Sequence, residues 1–376
     1  MAKRFVNTTQ HAGNSPGDND MDIQDVIIRP MEKDEGKTVE KIDKRAFPLF
    51  EGLFIVTPRR AMVAEYKGNI IGAIVYKYED TKTQQIIYID AAFVDSAYRG
   101  MGVGKKLYTE TFYYLQEWGC DVMTALVKDD NAASWEIFIE NGFHRASLLE
   151  SAKYIGLSGM LKQYFTTELC FSVGMDLNIY DPERPVPSKK DGKLQWLLFL
   201  LGNLLLTLPL WIRILLKDSA LLLPNITAYL TLLVLMLLTR YLGARASGLD
   251  HHFRLNNGGG LLTMFLSFFG ILFPMNANWY PVIYRNTAVF HKMLAMPEMV
   301  KWLIFLLLPL FCFSQDLYLN TLGKQAGMLL LFSLIPIYPF ECYGAGRIYQ
   351  YKKGLWILTT VISIALVFAL FIFLPK

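Results

Sequence analysis

Cysteine is scarce in this sequence, and no charge pattern of one sign dominates it. The four cysteines among 376 residues form no CxxC pair, which argues against a disulfide framework or a cysteine-bound metal and indicates reduced, structural thiols. The net charge is only +4, and the sequence contains no basic stripe interleaved with aromatic residues. Nucleic acid is therefore not an expected partner.

An apolar leader is also missing from the first residues. Residues 1–21 are polar and rich in turn formers, as in the segment GNSPG at 13–17. Because they contain no apolar stretch like that of a secretory signal peptide, we expect a disordered tail there.

The composition changes at one place. Charged residues are spread through the first half, whereas long apolar runs begin after Lys193. A chain of this length is expected to form about two domains. The change predicts a soluble domain at 22–180, a linker at 181–193 and a transmembrane domain at 194–376.

Strand and helix patterns alternate within the soluble part. Apolar residues with a period of two predict strands, and apolar residues at helical spacing predict helices. Strands are expected at 26–28, 60–66, 69–78, 85–94 and 121–127, and helices at 36–47, 103–118 and 131–140. The pair Lys67-Gly68 is typical of a tight hairpin turn. The order of elements predicts an α/β domain with a mixed sheet.

Three glycines, Gly100, Gly102 and Gly104, stand between the strand at 85–94 and the next helix. Glycine lets the backbone approach a ligand closely, and the unpaired N–H groups at a helix start attract anions. The segment therefore suits a pyrophosphate, with Arg99 and Lys105 adding charge at its rim. A plain tight turn is the alternative, and the spacing does not match the GxGxxG of a Rossmann unit.

Two motifs resemble those of the GNAT acetyltransferase superfamily. Arg99-x-x-Gly102-x-Gly104 is similar to the pyrophosphate loop of that family, and the stretch from Asn131 to Gly142-Phe143 resembles its second signature. The strand at 86–94 resembles its splayed central strand, and 168–177 is expected to hold its last strand. The resemblance covers residues 22–177 and implies a GNAT-like α/β fold with N-acetyltransferase activity.

The resemblance also implies acetyl-CoA as co-substrate and no metal. Backbone groups of the central strand would bind the pantetheine arm, the glycine loop would bind the pyrophosphate, and Asn131 would contact the cofactor near its thiol. The implied cofactor-binding residues are Phe93, Val94, Arg99, Gly100, Met101, Gly102, Val103, Gly104, Lys105 and Asn131.

Attack of an amine on a thioester needs a base to deprotonate the incoming ammonium. Asp90, on the central strand beside the expected cofactor arm, is the candidate catalytic base. A polar residue on the solvent face of the strand is the alternative interpretation of Asp90. Weaker candidates for the base are Glu65, Glu79 and His144.

The departing thiolate also needs a proton. Many relatives place a tyrosine for this step where the sequence has Phe138. Either Tyr88 or Tyr108 supplies the proton instead, or no acid is needed, or catalysis is impaired.

Long apolar segments fill the second half. Five of them, at 194–216, 220–242, 300–314, 322–340 and 355–374, are long enough to cross or nearly cross a hydrocarbon core of ~30 Å. A shorter one at 261–274 is either a sixth span or a re-entrant element. These segments predict an all-α polytopic membrane domain with five or six spans.

The distribution of basic residues predicts the orientation. Because acetyl-CoA is cytoplasmic, the soluble domain is expected on the cytoplasmic face, and the lysines just before residue 194 agree with that. Five spans would also keep the basic residues at 240–254 and 347–353 inside, so the charge rule favours five.

A second resemblance, to site-2-type intramembrane metalloproteases, lies in the segments 236–248 and 334–347. The positions of the zinc-binding histidines hold Met236 and Arg240, and the position of the aspartate holds Glu341. Without the histidines no zinc site is expected, and this half is interpreted as a protease-like scaffold without its chemistry.

Two hypotheses follow. The first is a multi-pass membrane-anchored N-acetyltransferase that transfers acetyl from acetyl-CoA to an amine at the cytoplasmic membrane face. The acceptor would be a protein N-terminus, a lysine, or an amine of a lipid or small molecule. The alternative is a catalytically weak domain that senses acetyl-CoA and regulates the membrane scaffold.

Overall fold

The computed structural model of the protein describes residues 21–46, 55–81, 84–128, 131–146, 148–167, 175–180, 193–255, 259–283, 285–335 and 344–373. The chain groups into two compact units, one of Met1–Tyr76 with Ala91–Glu117, the other of Lys77–Asp90 with Trp118–Lys376. Apart from Met21 and Lys193, the expected tail at 1–21 and linker at 181–193 lie outside the described residues.

Seven strands and four helices make up the first half of the chain in the described residues. The strands are β1 (Ile27–Pro30), β2 (Ala61–Tyr66), β3 (Asn69–Tyr78), β4 (Ile86–Val94), β5 (Val122–Lys128), β6 (Phe143–Arg145) and β7 (Met175–Tyr180). The helices are α1 (Gly36–Ala46), α2 (Val103–Glu117), α3 (Ala132–Glu140) and α4 (Leu148–Thr166). The strands form one sheet in the order β1-β2-β3-β4-β5-β7-β6, which confirms the predicted mixed α/β fold.

The sheet combines antiparallel and parallel pairs. β1 and β2 pair antiparallel, as do β2 and β3, and β7 lies antiparallel between β5 and β6. β4 and β5 are parallel, since α2 returns the chain to the starting edge. At the β2–β3 turn Lys67 and Gly68 have φ angles of 50° and 76°. Positive φ at both central residues is the requirement of a type I′ hairpin turn, as the sequence indicated.

The parallel pairing stops before either strand ends. Its register runs from Ile86–Val122 to Ile89–Ala125, while β4 continues to Val94 and β5 to Lys128. The ladder therefore ends just before Asp90, as expected of a splayed central strand.

Helix α4 was not anticipated from the sequence. Apolar side chains on α4 face both the sheet and solvent: Ile155 is buried, whereas Leu157 and Phe165 are 70% and 73% exposed. Such a helix shows no clear amphipathic period, and Gly156, at φ 67°, breaks it internally. The last strand, expected at 168–177, is described from Met175 as β7, and residues 168–174 lie outside the described residues.

Eight helices follow in the described part of the second half: α5 (Lys193–Leu206), α6 (Leu208–Lys217), α7 (Leu222–Ala246), α8 (Gly260–Phe268), α9 (Ala288–Leu307), α10 (Leu317–Phe332), α11 (Ala345–Tyr351) and α12 (Lys353–Phe373).

Three helical segments in the described residues are long and apolar enough to cross a membrane, namely Ser219–Ala246, Ala288–Phe313 and Lys353–Leu370. α5 and α6, bent by 47° where they meet, raise the number to four if they form one broken span. The expectation of five or six is therefore not met by length alone, because α10 has 16 residues and α8 has nine. The segment expected at 300–314 belongs to a longer helix that starts at Ala288.

The prediction that this half is all-α is wrong. Strands β8 (His251–Leu255) and β9 (Ala277–Pro281) form an antiparallel pair. The rings of Phe253 and Trp279 lie 4.6 Å apart in it. The two strands are short and α8 lies between them in sequence, so neither periodicity nor a turn signal could reveal the pairing.

In this half, the buried carboxylate of Glu298 lies beside three cationic side chains. Glu298 on α9 accepts Arg347 at 2.8 Å and Lys301 at 2.5 Å, and lies 3.1 Å from Arg240 of α7. Arg240 also donates to Asn276. Arg240 thus pairs with Glu298, and Glu341 lies outside the described residues. Buried charges are costly unless paired, so this cluster holds α7, α9 and α11 together.

Candidate functional site

The glycine loop between β4 and α2 has the backbone that its sequence indicated. Gly100 and Gly102 have φ angles of 80° and 86°, a region that is costly for residues with a side chain. Among the described residues, a methyl group added at Gly100 would meet no atom within 4 Å, and one at Gly104 would touch only Val94. The surface of the loop is therefore open to a ligand.

Helix α2 supplies donors directly after this loop. Its first backbone bond runs from the Lys106 N–H to the Gly102 carbonyl, and the first turn of an α-helix directs its N–H groups out of the end of the helix. These donors and the helix dipole favour an anion. The exposed loop and the helix start together fit the diphosphate of a nucleotide cofactor.

Arg99 makes two hydrogen bonds to backbone carbonyls that the sequence did not indicate. Its Nε donates to the Val94 carbonyl at 3.0 Å and its Nη2 to the Ala46 carbonyl at 3.1 Å. The neighbouring Asp95 binds Arg45 at 2.8 Å. Arg99 therefore fixes the end of β4 to the end of α1, and it contributes charge at the rim from that fixed position.

The end of β4 lies close against β3. A Cβ on Gly72 would come within 2.8 Å of the Phe93 carbonyl, and the Asp95 N–H donates to the Ile71 carbonyl at 2.8 Å. Glycine at position 72 is thus required by the approach of the two backbones. Phe93 itself is 6% exposed, so its side chain is part of the core, and Phe93 and Val94 offer a ligand only backbone groups.

Asp90 follows the last registered pair of β4 with β5, and its side chain is engaged. Its Oδ2 lies 2.9 Å from the ammonium of Lys77 on β3. Both side chains are partly exposed. Lys77 was missed in the sequence analysis because cross-strand register cannot be read from one sequence. The carboxylate of Asp90 is thus available to solvent but already has a cationic partner.

Glu79 is a second carboxylate in this region, and it is buried. It is 1% exposed, and loss of water around the carboxylate is the main influence on it. Burial raises the pKa of Glu79 to about 7, partly offset by Thr166, Lys77 and Lys162. A base with a pKa near the operating pH is well matched to general-base catalysis.

The other candidate bases are committed to structural contacts. Glu65 binds Arg29 at 2.6 Å, and His144 of β6 is buried against the ring of Tyr154. Both side chains are engaged in structural contacts, so neither is placed to accept a proton from a substrate amine.

The Asn131 segment forms the start of α3. The side-chain oxygen of Asn131 accepts the Ser134 N–H at 3.2 Å and so caps the helix. Phe138 is 3% exposed and its ring lies 4.8 Å from that of Phe143. The position where relatives carry a tyrosine is therefore a core position here, and it presents no hydroxyl.

In the part of the chain that the structure describes, no group of three or more histidine, cysteine, aspartate or glutamate side chains is placed to bind a metal. His252 is buried and its pKa is lowered to about 4 by that burial, with smaller effects from Arg145 and His251. It is therefore neutral at physiological pH.

Part of the sequence matches a known protein family. Residues 27–143 match the acetyltransferase (GNAT) family. N-alpha-acetyltransferase MAK3 of Arabidopsis thaliana is 30% identical over 92 residues, which are 24% of this chain and 48% of that protein. The chain thus spans about half the length of that curated relative.

Two solved structures are similar to part of the chain. One is the ribosomal-protein-alanine N-acetyltransferase of Brucella melitensis, with 20% identity, a TM-score of 0.27, and coverage of 32% of this chain and 86% of that one. The other is the ribosomal-protein-S18-alanine N-acetyltransferase of Escherichia coli, with 16% identity, a TM-score of 0.28, and coverage of 41% and 90%.

The family match begins at the first residue of β1 and ends at the first residue of β6. It therefore contains both the glycine loop and the Asn131 segment that caps α3. Residues 27–143 are therefore similar to the GNAT acetyltransferase family, and the match includes both motifs.

Proposed function

We propose that the protein is a membrane-anchored N-acetyltransferase that transfers acetyl from acetyl-CoA to an amine at the cytoplasmic membrane face. The observation that carries this proposal is the open glycine loop, with Gly100 and Gly102 in the left-handed region directly before the start of α2. A loop of this kind binds a pyrophosphate through backbone N–H groups, and acetyl-CoA carries one.

In the proposed reaction the amine nitrogen attacks the thioester carbonyl carbon, a C–N bond forms, and the C–S bond breaks. The base removes a proton from the amine, and the CoA thiolate takes up a proton as it leaves. Backbone groups of Phe93 and Val94 would hold the pantetheine arm, and Arg99, Gly100, Met101, Gly102, Val103, Gly104 and Lys105 would hold the pyrophosphate. Asn131 would orient the cofactor near its thiol.

Asp90 remains the preferred base in this proposal. It lies where β4 leaves β5, and its carboxylate is partly exposed beside Lys77. Tyr88 lies two residues earlier on the same strand, so both side chains project from the same face. Tyr88 is thus the better-placed of the two tyrosines considered as the proton donor for the thiolate.

The acceptor would be a protein N-terminus, a lysine, or an amine-bearing lipid or small molecule. The name of the Arabidopsis relative, an N-alpha-acetyltransferase, favours a protein N-terminus. The apolar helices of the second half would hold the domain near acceptors that emerge at the membrane surface.

A second candidate function is favoured by Phe138. Because this position is a buried aromatic contact rather than a hydroxyl, the domain would bind acetyl-CoA without turnover and regulate the membrane half. The membrane half would then be a protease-like scaffold, in which Arg240, at a zinc-histidine position, forms a salt bridge with Glu298.

Cofactor binding is tested by replacing Gly102 with valine. The left-handed backbone at φ 86° is strained for a β-branched residue, and the valine methyl groups would cover the N–H groups behind it. We expect the affinity for acetyl-CoA, measured by isothermal titration with the full chain in nanodiscs, to fall at least about tenfold, or ~1.4 kcal/mol.

Gly119→Val is the matched control for backbone strain. Gly119 has φ 80° and open space around it, but it follows α2 rather than preceding it. If both variants lose affinity equally, or if the unaltered chain gives no binding heat, the assignment of the loop is wrong.

The base is identified by comparing Asp90→Asn with Glu79→Gln. Removal of a general base typically costs about 100-fold or more in rate, so we expect Asp90→Asn to lower kcat by that order with unchanged acetyl-CoA affinity. Glu110→Gln, on the exposed face of α2, is the control. An Asp90→Asn enzyme with the rate of the unaltered protein would eliminate Asp90.

The pH profile separates the two carboxylates. If Glu79 is the base, kcat/KM rises with pH through about 7, because the raised pKa keeps Glu79 protonated below that value. That inflection would disappear in Glu79→Gln. With Asp90 as the base, Glu79→Gln keeps both the rate and the profile.

Topology is tested by cysteine accessibility. We propose five membrane crossings with the acetyltransferase domain inside, which requires α10 to cross together with residues after it. Single cysteines replace the exposed residues Ala246, Gln315 and Gln350 in a chain without its native cysteines, and intact cells are treated with an impermeant thiol reagent. The positive-inside rule predicts labelling at position 315 alone. Labelling at position 350 as well would contradict five crossings.

A further inference from the structure

A contact between α3 and the β8–β9 strand pair connects the second half of the chain to the proposed cofactor site. Both elements belong to the same compact unit. Ala132, the residue after the cap Asn131, is 1% exposed and packs in one cluster with Tyr280 of β9 and with Phe290 and Leu294 of α9. The first turn of α3 therefore lies on an apolar surface that the second half provides.

Arginine stacking extends this contact. The guanidinium of Arg145 on β6 lies 3.7 Å from the ring centre of Trp135 on α3 and 5.5 Å from that of Tyr280. The guanidinium of Arg254 on β8 lies 4.6 Å from the Tyr280 ring. Cation–π contacts gain strength when they are desolvated, and Tyr280 and Trp135 are 1% and 2% exposed.

One carboxylate, that of Asp176, forms ion pairs with both of these arginines. Asp176 on β7 lies 2.8 Å from Arg145 and 2.6 Å from Arg254. Farther along α3, the Glu136 carboxylate accepts the Asn286 N–H at 3.4 Å. Helix α3 is thus held at both of its turns by residues that follow the acetyltransferase domain in sequence.

The Tyr280 hydroxyl reaches the buried charges described above. It accepts Arg347 at 3.3 Å, and Arg347 binds Glu298 at 2.8 Å. Tyr280 therefore has one face on α3 and its hydroxyl on the cluster that joins α7, α9 and α11.

From these contacts we infer that Tyr280 and Arg254 are positioning residues for acetyl-CoA. They fix the start of α3, and with it Asn131, through Ala132, Arg145 and Trp135. The inference rests on the proposed function, because it takes Asn131 to be a cofactor contact. By this inference, the β8–β9 strand pair of the second half supports the proposed acetyltransferase site.

The test uses the full chain in nanodiscs and the variants Arg254→Gln and Tyr280→Leu. Arg254→Gln removes the charge from Asp176 and Tyr280, and Tyr280→Leu keeps apolar volume but removes the ring face. We expect the dissociation constant for acetyl-CoA, and KM with it, to rise on the order of tenfold while kcat changes less. Hydrogen exchange of the amides at 132–140 should become faster.

Matched controls in the same half are Arg245→Gln and Tyr349→Leu. Arg245 is exposed at the end of α7, and Tyr349 is 38% exposed on α11. Arg254→Lys retains the charge on Asp176 but not the planar stack on Tyr280, so it should restore part of the affinity, as should Tyr280→Phe, which retains the ring.

The outcomes separate this inference from the proposed function. Absence of acetyl-CoA binding by the unaltered chain would refute the function itself. If the unaltered chain binds and Arg254→Gln binds equally well with unchanged exchange at 132–140, the positioning role is wrong. A general loss of thermal stability, with exchange increased equally in all helices, would also overturn it.

Discussion

The carboxylate of Asp176 links the acetyltransferase sheet with the second half of the chain. It forms ion pairs with Arg145 of the neighbouring strand and with Arg254 of β8, and Asp176 is 7% exposed. Leaving one member of a buried charge group without its partner typically costs about 3–5 kcal/mol. This one group therefore ties β7 and β6 to β8, in addition to the backbone pairing of β7 with β5 and β6. The second half is therefore a support for the domain as well as its proposed anchor.

Most of the acetyltransferase domain could be predicted from the sequence because its signals are local. The bounds of β3 agree with the structure, and those of β4 and α2 agree within one residue. The glycine loop was identified because left-handed torsions at Gly100 and Gly102 select glycine whatever the surroundings. The role of Arg99 was only half predicted, since its two carbonyl partners come from separate elements.

The features that sequence could not supply are those that depend on distant pairing. Strands β8 and β9 pair although a helix separates them in sequence, and the partner of Arg240 is Glu298 on another helix. Lys77 opposite Asp90 depends on strand register. Helix α4 was missed because apolar residues cover more than one of its faces. The number of membrane crossings does not follow from hydropathy alone, because hydropathy does not show where a helix begins, bends or ends, as at the junction of α5 and α6.

The most direct test of the account is acetyl transfer by the full chain in nanodiscs. Acetyl-CoA is supplied with two peptides that share one sequence, one with a free N-terminus and one with a blocked N-terminus and a free lysine. Mass spectrometry then measures the acetylated peptide against the CoA released. The account predicts acetylation of an amine in equal amount to CoA released, with the free N-terminus preferred. Saturable binding of acetyl-CoA without acetylation of either peptide or of any amine in a wider panel would contradict it.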